Sequence, residues 1–177
     1  MREYSQGEYV LRSPTTLPAN SPFESHTRSA LPGLYENISL AVDARLVDPG
    51  PEQWVKLACR VQDESSYDVL AVNPNVGAFS IARRIYGTWM PLANSGAEPS
   101  PAIHRGDQPN HLELTCRGAQ LEASINGVQV ASVGDGTFRD GRLSIGAGHT
   151  AFFALPYNAP LVHPIEAHFS GLVVTQR

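Results

Sequence analysis

Lysine is almost missing from this chain: Lys56 is its only one, and Lys and Arg together number 13 against 17 Asp and Glu, for a net charge of −4. A protein that grips phosphates needs clustered cations, and the densest run here is the pair Arg83-Arg84. Nucleic acid is therefore excluded as a partner. Long apolar runs are missing too. The longest, around Ala151 to Leu155, is far short of the roughly 20 residues a membrane helix requires, so the chain is expected not to insert in a membrane.

Reactive motifs are equally scarce. The two cysteines, Cys59 and Cys116, form no CxxC pair, and the six histidines show no His-Glu-x-x-His spacing. His163 and His168 lie five apart, which is poor spacing for a shared zinc ion. No Gly-x-Ser-x-Gly elbow is present. Sandwich glucanases carry a compact acidic cluster such as Glu-x-Asp-x-x-Glu on one strand; none exists here. The densest acids, Asp63, Glu64 and Asp68, sit in or beside a turn with Ser65-Ser66 and read as solvated. Asp135 and Asp140 are the nearest approach to an oxygen-rich calcium loop, yet a pair of plain turns explains them better. The expectation is a non-enzyme without metal or cofactor. Met1-Arg2-Glu3-Tyr4 leads straight into polar sequence and does not read as a signal peptide. The chain starts close to a strand-like segment, Gly7 to Arg12, and is expected to be part of a longer precursor.

What is plentiful is punctuation. Fifteen Gly and fourteen Pro are spread between short apolar runs, as in a chain of many turns. Alternation of period two dominates, and no helix longer than a turn or two is indicated. Ile38 to Leu46 alternates cleanly and stops at Asp48-Pro49-Gly50-Pro51. A strand from Trp54 to Gln62 puts Leu57, Cys59 and Val61 on one face. Tyr67 to Val72, Phe79 to Ile85 and Thr88 to Leu92 follow. Ala93 to Pro109 then crosses between sheets. Leu112, Leu114 and Cys116 alternate, and Asn126-Gly127 between apolar strands predicts a type I′ hairpin. A strand follows Asp140-Gly141, and the last spans Ile165 to Thr175 with a bulge at Ser170-Gly171. With 42% hydrophobic residues there is material for one core, hence one domain over 1–177. The class is all-β: a two-sheet antiparallel jelly-roll sandwich.

The order of motifs resembles a bacterial laminin-G-like group. It runs from Gly7-Glu8-Tyr9, Ile38-x-Leu40-x-Val42-x-Ala44-Arg45 and Cys59-Arg60 through Leu112-x-Leu114-x-Cys116-Arg117-Gly118. It continues with Ile125-Asn126-Gly127, Gly141-Arg142-Leu143-x-Ile145 and Phe169-Ser170-Gly171-Leu172-Val173-Val174. Such domains resemble the concanavalin A-like lectin/glucanase superfamily and keto-disaccharide hydrolase-type domains, which implies a jelly roll placed outside the cytoplasm. The chain departs from the group at Tyr67-Asp68, at Ser170-Gly171 and in the insertion from Thr150 to Pro164.

Cys59 and Cys116 both share strand parity with core residues, so they are either a disulfide or two buried thiols; the resemblance favours the disulfide. The residues opposite Cys59 on its strand include Trp54 and Arg60. With Tyr67 and Arg84 from the next two strands they form the candidate ligand face, on which aromatics stack against a sugar ring and Arg bonds its hydroxyls. Trp54 as a cover and Tyr67 as a core residue is the competing reading. Trp89 reads as a core or hairpin residue. The expected function is a non-catalytic extracytoplasmic module binding carbohydrate or another cell-surface ligand. A structural or interaction domain, with residues 150–164 meeting a protein partner, and a sugar hydrolase are the alternatives.

Overall fold

A computed structural model describes residues 2–5, 7–13, 26–93, 96–149 and 164–176. Among these residues fourteen strands form two antiparallel sheets. The first contains β1 (Arg2–Ser5), β2 (Glu8–Ser13), β4 (Ile38–Leu46), β10 (Asn110–Arg117), β11 (Gln120–Ile125), β12 (Val128–Gly134) and β14 (Ile165–Gln176), in the order β1-β2-β14-β4-β10-β11-β12. The second contains β3 (His26–Tyr35), β5 (Gln53–Val61), β6 (Tyr67–Asn73), β7 (Ala78–Ile85), β8 (Thr88–Pro91) and β13 (Gly141–His149), ordered β3-β13-β5-β6-β7-β8, with β9 (Glu98–Pro99) paired to β7. This is the jelly-roll sandwich that the alternation called for. Strands β1 and β3 went unforeseen; Pro32 and Gly33 interrupt the β3 pattern.

The core lies between the sheets. Leu40, Val42, Leu112, Leu114 and Phe169 from the first meet Val55, Leu57, Leu70, Ile81 and Ile145 from the second. Burying such side chains stabilises by about 1.5–3 kcal/mol each. Cys59 and Cys116 reach across this core and form a disulfide between the sheets. The loop it closes, with a sequence separation of 57, is worth roughly 4 kcal/mol in the chain-entropy model. Asn126 and Gly127 have φ of 51° and 79°, the two positive values a type I′ turn needs. At the expected β14 bulge the register slips between Ser170 and Val173. Val174 packs against the core, while Leu172 is 40% exposed.

One strand breaks its expected parity. Against β13, Val61 pairs with Arg142 but Ala58 with Ser144, so β5 holds one extra residue there, a bulge. Arg60 has φ of 51°, and alternation reverses beyond it. Val61, expected beside Leu57 and Cys59, instead packs outside with Ala58, Tyr67, Val69 and Ala82. Arg60, expected outside, turns inward. Gly141 makes the bend possible: a Cβ there would sit 2.5 Å from the Arg60 carbonyl carbon, at a φ of 152°.

Inside, Arg60 joins a buried charge cluster. Its Nη1 donates to Asp68 Oδ2 at 3.4 Å and to the Asp135 carbonyl at 3.1 Å, and its Nη2 donates to the Gly118 carbonyl. Arg83 Nε donates to Asp68 Oδ1 at 3.3 Å, and its Nη2 pairs with Asp135 Oδ2. Asp68 is thus no solvated turn residue, unlike Asp63, whose Oδ1 accepts from the Ser65 amide and hydroxyl. Burial pushes the Asp68 carboxyl above the ordinary carboxylate range, against the opposing pull of Arg83 and Arg60. Asp135 is thus paired with Arg83.

Removing one member of a buried charge set leaves the others uncompensated and costs about 3–5 kcal/mol. Asp68→Ala is expected to lower stability by that order in urea titration. A loss below about 1 kcal/mol, the range of a surface pair, would contradict the cluster.

Candidate functional site

The outward face of the second sheet gathers three of the four predicted ligand residues. Outward positions on β5 carry Trp54, Lys56 and Ala58; those on β6 and β7 carry Tyr67, Val69, Ala71, Ser80, Ala82 and Arg84. Trp89 on β8 pairs with Arg84 and lies on this same face rather than in the core. Trp89 is the centre of the group. Lys56 Nζ lies 5.5 Å and Arg84 Cζ 5.2 Å from its ring centroid, and Tyr67 meets it edge-on at 5.9 Å and 84°. Arg84 is fixed by Nη1 donating to the Tyr67 hydroxyl at 3.4 Å and Nε donating to the Gly87 carbonyl at 3.3 Å.

The remaining predicted residues are placed differently. Arg60 is held in the interior by the bulge and does not share the face. Trp54 does share it, but packs with Ala71, Ala78 and Ala97 at 1% exposure, as a wall rather than an open shelf. Tyr67 is also buried. Arg84 and Trp89, half-buried, are where the face reaches solvent. Beneath them the floor is made of small side chains, and the Ser80 hydroxyl, on a residue 1% exposed, has no hydrogen-bond partner. Parity along β5 already puts Lys56 on the face of Trp54; Ser80 and Trp89 are the members that pattern reading missed. The signal was present in the register: two residues after Ala78, and opposite Arg84. The expected partner segment 150–164 and the His163 half of the zinc pair lie outside the described residues, apart from Pro164. Among the described residues no group of three metal-ligating side chains converges.

The outward face of the first sheet is mostly polar, although Val10, Ala41 and Val173 lie on it too. Arg12 Nε and Nη2 donate to the two Glu166 carboxylate oxygens at 2.9 and 3.1 Å, and Nη1 reaches Glu3 at 2.9 Å. His168 bridges Glu8 (2.7 Å, Nδ1) and Glu166 (2.8 Å, Nε2), so strands β2 and β14 are joined by a chain of charged groups. The hydrogen bonds from Arg12 first, and then from His168, hold the Glu166 carboxyl down at about 2.

No family model matches this sequence, and no curated protein matches it. Solved structures do. The carbohydrate-binding module CBM66 from Bacillus subtilis superposes with TM-score 0.63 at 12% identity, over 99% of this chain and 86% of that one. A putative glycosyl hydrolase from Parabacteroides distasonis gives 0.59 at 10%, over 99% and 90%. The alginate lyase Aly36B gives 0.61 at 12%, over 99% and 83%. At such identities the likeness shows the fold alone, a two-sheet jelly-roll sandwich. It also overturns the expectation of a non-enzyme. Hydrolases and lyases share this sandwich at the same likeness as the binding module. The lack of a linear acidic motif carries no weight where neighbouring strands can bring catalytic groups together.

Glu166 has a folded pKa near 2 against an ordinary 4.5. Its stabilisation is therefore complete above about 4.5 and is lost as pH falls toward 2. Urea midpoints of the wild type and Glu166→Gln are expected to differ at pH 6 or so and to converge across that window. A difference unchanged down to pH 2 would contradict the bridge.

Proposed function

We propose that this chain is a carbohydrate-binding domain that works outside the cytoplasm, and that its ligand lies against the outward face of the second sheet beside Trp89. The observation that carries the reading is the Trp89 cluster: an indole between an ammonium and a guanidinium, edged by a phenol, above Ala58, Val69 and Ala82. Aromatic surface suits the C–H faces of a sugar, and fixed N–H donors suit its hydroxyls. Low exposure strengthens each such bond, because water competes less. Of the predicted residues, Trp54, Tyr67 and Arg84 keep a role here; Arg60 acts through the fold.

The placement outside the cytoplasm is supported by the disulfide, since such bridges persist in oxidising compartments. That one solved neighbour is a carbohydrate-binding module agrees with the reading. No metal takes part in it.

A glycan-array screen of the purified chain, with calcium and with chelator, tests this. Binding is expected to be equal in both conditions and to weaken at least about tenfold in Trp89→Ala, equivalent to roughly 1.4 kcal/mol. Silence across the array in both conditions would turn the reading toward a structural or interaction domain.

A further inference from the structure

The first sheet carries an open cleft of about 540 Å³, on the face opposite the Trp89 cluster. Its walls come from four strands and a turn: Glu8 on β2, Asp43 and Arg45 on β4, His111 on β10, His168 and Ser170 on β14, and Asn126 at the β11–β12 turn. None of these belongs to the ligand face described above.

Two features distinguish the cleft from an ordinary polar surface. The first is that its walls are held in place. His111 has its amide bonded to Asn126 Oδ1 at 2.8 Å, and its Nδ1 lies 2.7 Å from Asp43 Oδ1. Asn126 is fixed in turn, its Nδ2 donating to the Ala102 carbonyl at 2.7 Å and to Asn110 Oδ1 at 2.8 Å. With Nδ1 engaged by Asp43, Nε2 is the ring nitrogen left over. The second Asp43 oxygen lies beside Gly171, where a Cβ would come within 3.2 Å of it. The backbone at Gly171, with φ of 61°, thus makes room for the carboxylate.

The second feature is Arg45. Every other charged wall group has a partner, yet Arg45 makes no ion pair or hydrogen bond among the described residues. It follows Asp43 by two positions on the same face, a spacing of about 7 Å along a strand. A guanidinium donor and a carboxylate acceptor then stand side by side, with Ser170 and His111, each paired across from Asp43, next to them. That alternation matches a group that both donates and accepts at adjacent atoms.

We propose that this cleft is a second ligand site, which takes the vicinal diol of a neutral sugar ring, with Asp43 accepting from one hydroxyl and Arg45 donating to its neighbour. Adjacent opposite charges favour a neutral polyol over an anion, which Asp43 and Glu8 would repel, and over a cation, which Arg45 would repel. The site is independent of the Trp89 face, and either can fail alone.

Two-dimensional amide NMR of the full chain, titrated to millimolar levels with methyl glycosides of glucose, galactose and mannose, separates the two. Saturable shifts are expected at 43–45, 111 and 168–171 with at least one glycoside. They should persist in Trp89→Ala and weaken at least about tenfold in Arg45→Ala and in Asp43→Asn. Dispersed spectra of those variants establish that they are folded. Absence of shifts at these amides with every glycoside, or shifts unchanged in both variants, overturns the proposal. Shifts confined to β5–β8 would do so as well, while leaving the Trp89 reading intact.

Discussion

At one end of the sandwich the interior holds charge instead of hydrocarbon, and much of the local architecture follows from keeping that charge paired. Asp68, fully buried, lies between the guanidinium groups of Arg60 and Arg83, and Asp135 completes the set. The extra residue in β5 delivers Arg60 to the interior. Because Arg60 comes in, Val61 goes out, and the outward face of the second sheet gains an apolar neighbour for Tyr67 and Val69. Residue 141 must then be glycine, since its backbone passes against that of Arg60. The Gly118 and Asp135 carbonyls, from the loops at both ends of β11–β12, close over the guanidinium. One arginine thereby ties the two sheets together beside the disulfide.

The two outward faces divide the chemistry between them. On the first sheet they carry paired polar groups, such as Ser39 with Glu113 and Arg12 with Glu166, as a solvated antiparallel sheet does. On the second, β5 and β6 are buried along their whole length on both faces. A cation in so shielded a position needs partners, as Arg84 has in Tyr67 and Gly87. That contrast sets the Trp89 face apart from the first sheet.

Most of the fold was legible because alternation, turn residues and cysteine parity all report backbone direction. Ile38–Leu46 and the Asn126-Gly127 turn are each set by local rules, and parity turned Cys59 and Cys116 inward while the resemblance favoured their bridge. The site was legible only in part. Parity assigned Trp54, Tyr67 and Arg84 to one face but failed at Arg60, since a bulge is a property of the pairing with β13 and not of the β5 sequence. Asp68 looked like part of an acidic turn because its two arginines are 8 and 15 residues away in sequence. Trp89 gained its role from lateral neighbours on β5 and β6, and the first-sheet cleft from four strands scattered along the chain. Linear pattern carries neither arrangement.

The central claim is that Trp89 lies at the ligand surface. The chain has two tryptophans, so Trp54→Phe leaves Trp89 as the sole indole reporter. Fluorescence of that variant, titrated with a panel of neutral and acidic soluble polysaccharides, measures the claim directly. A saturable change in Trp89 emission with at least one polysaccharide is the predicted result. Emission that stays constant for every polysaccharide the wild-type chain retains would contradict it.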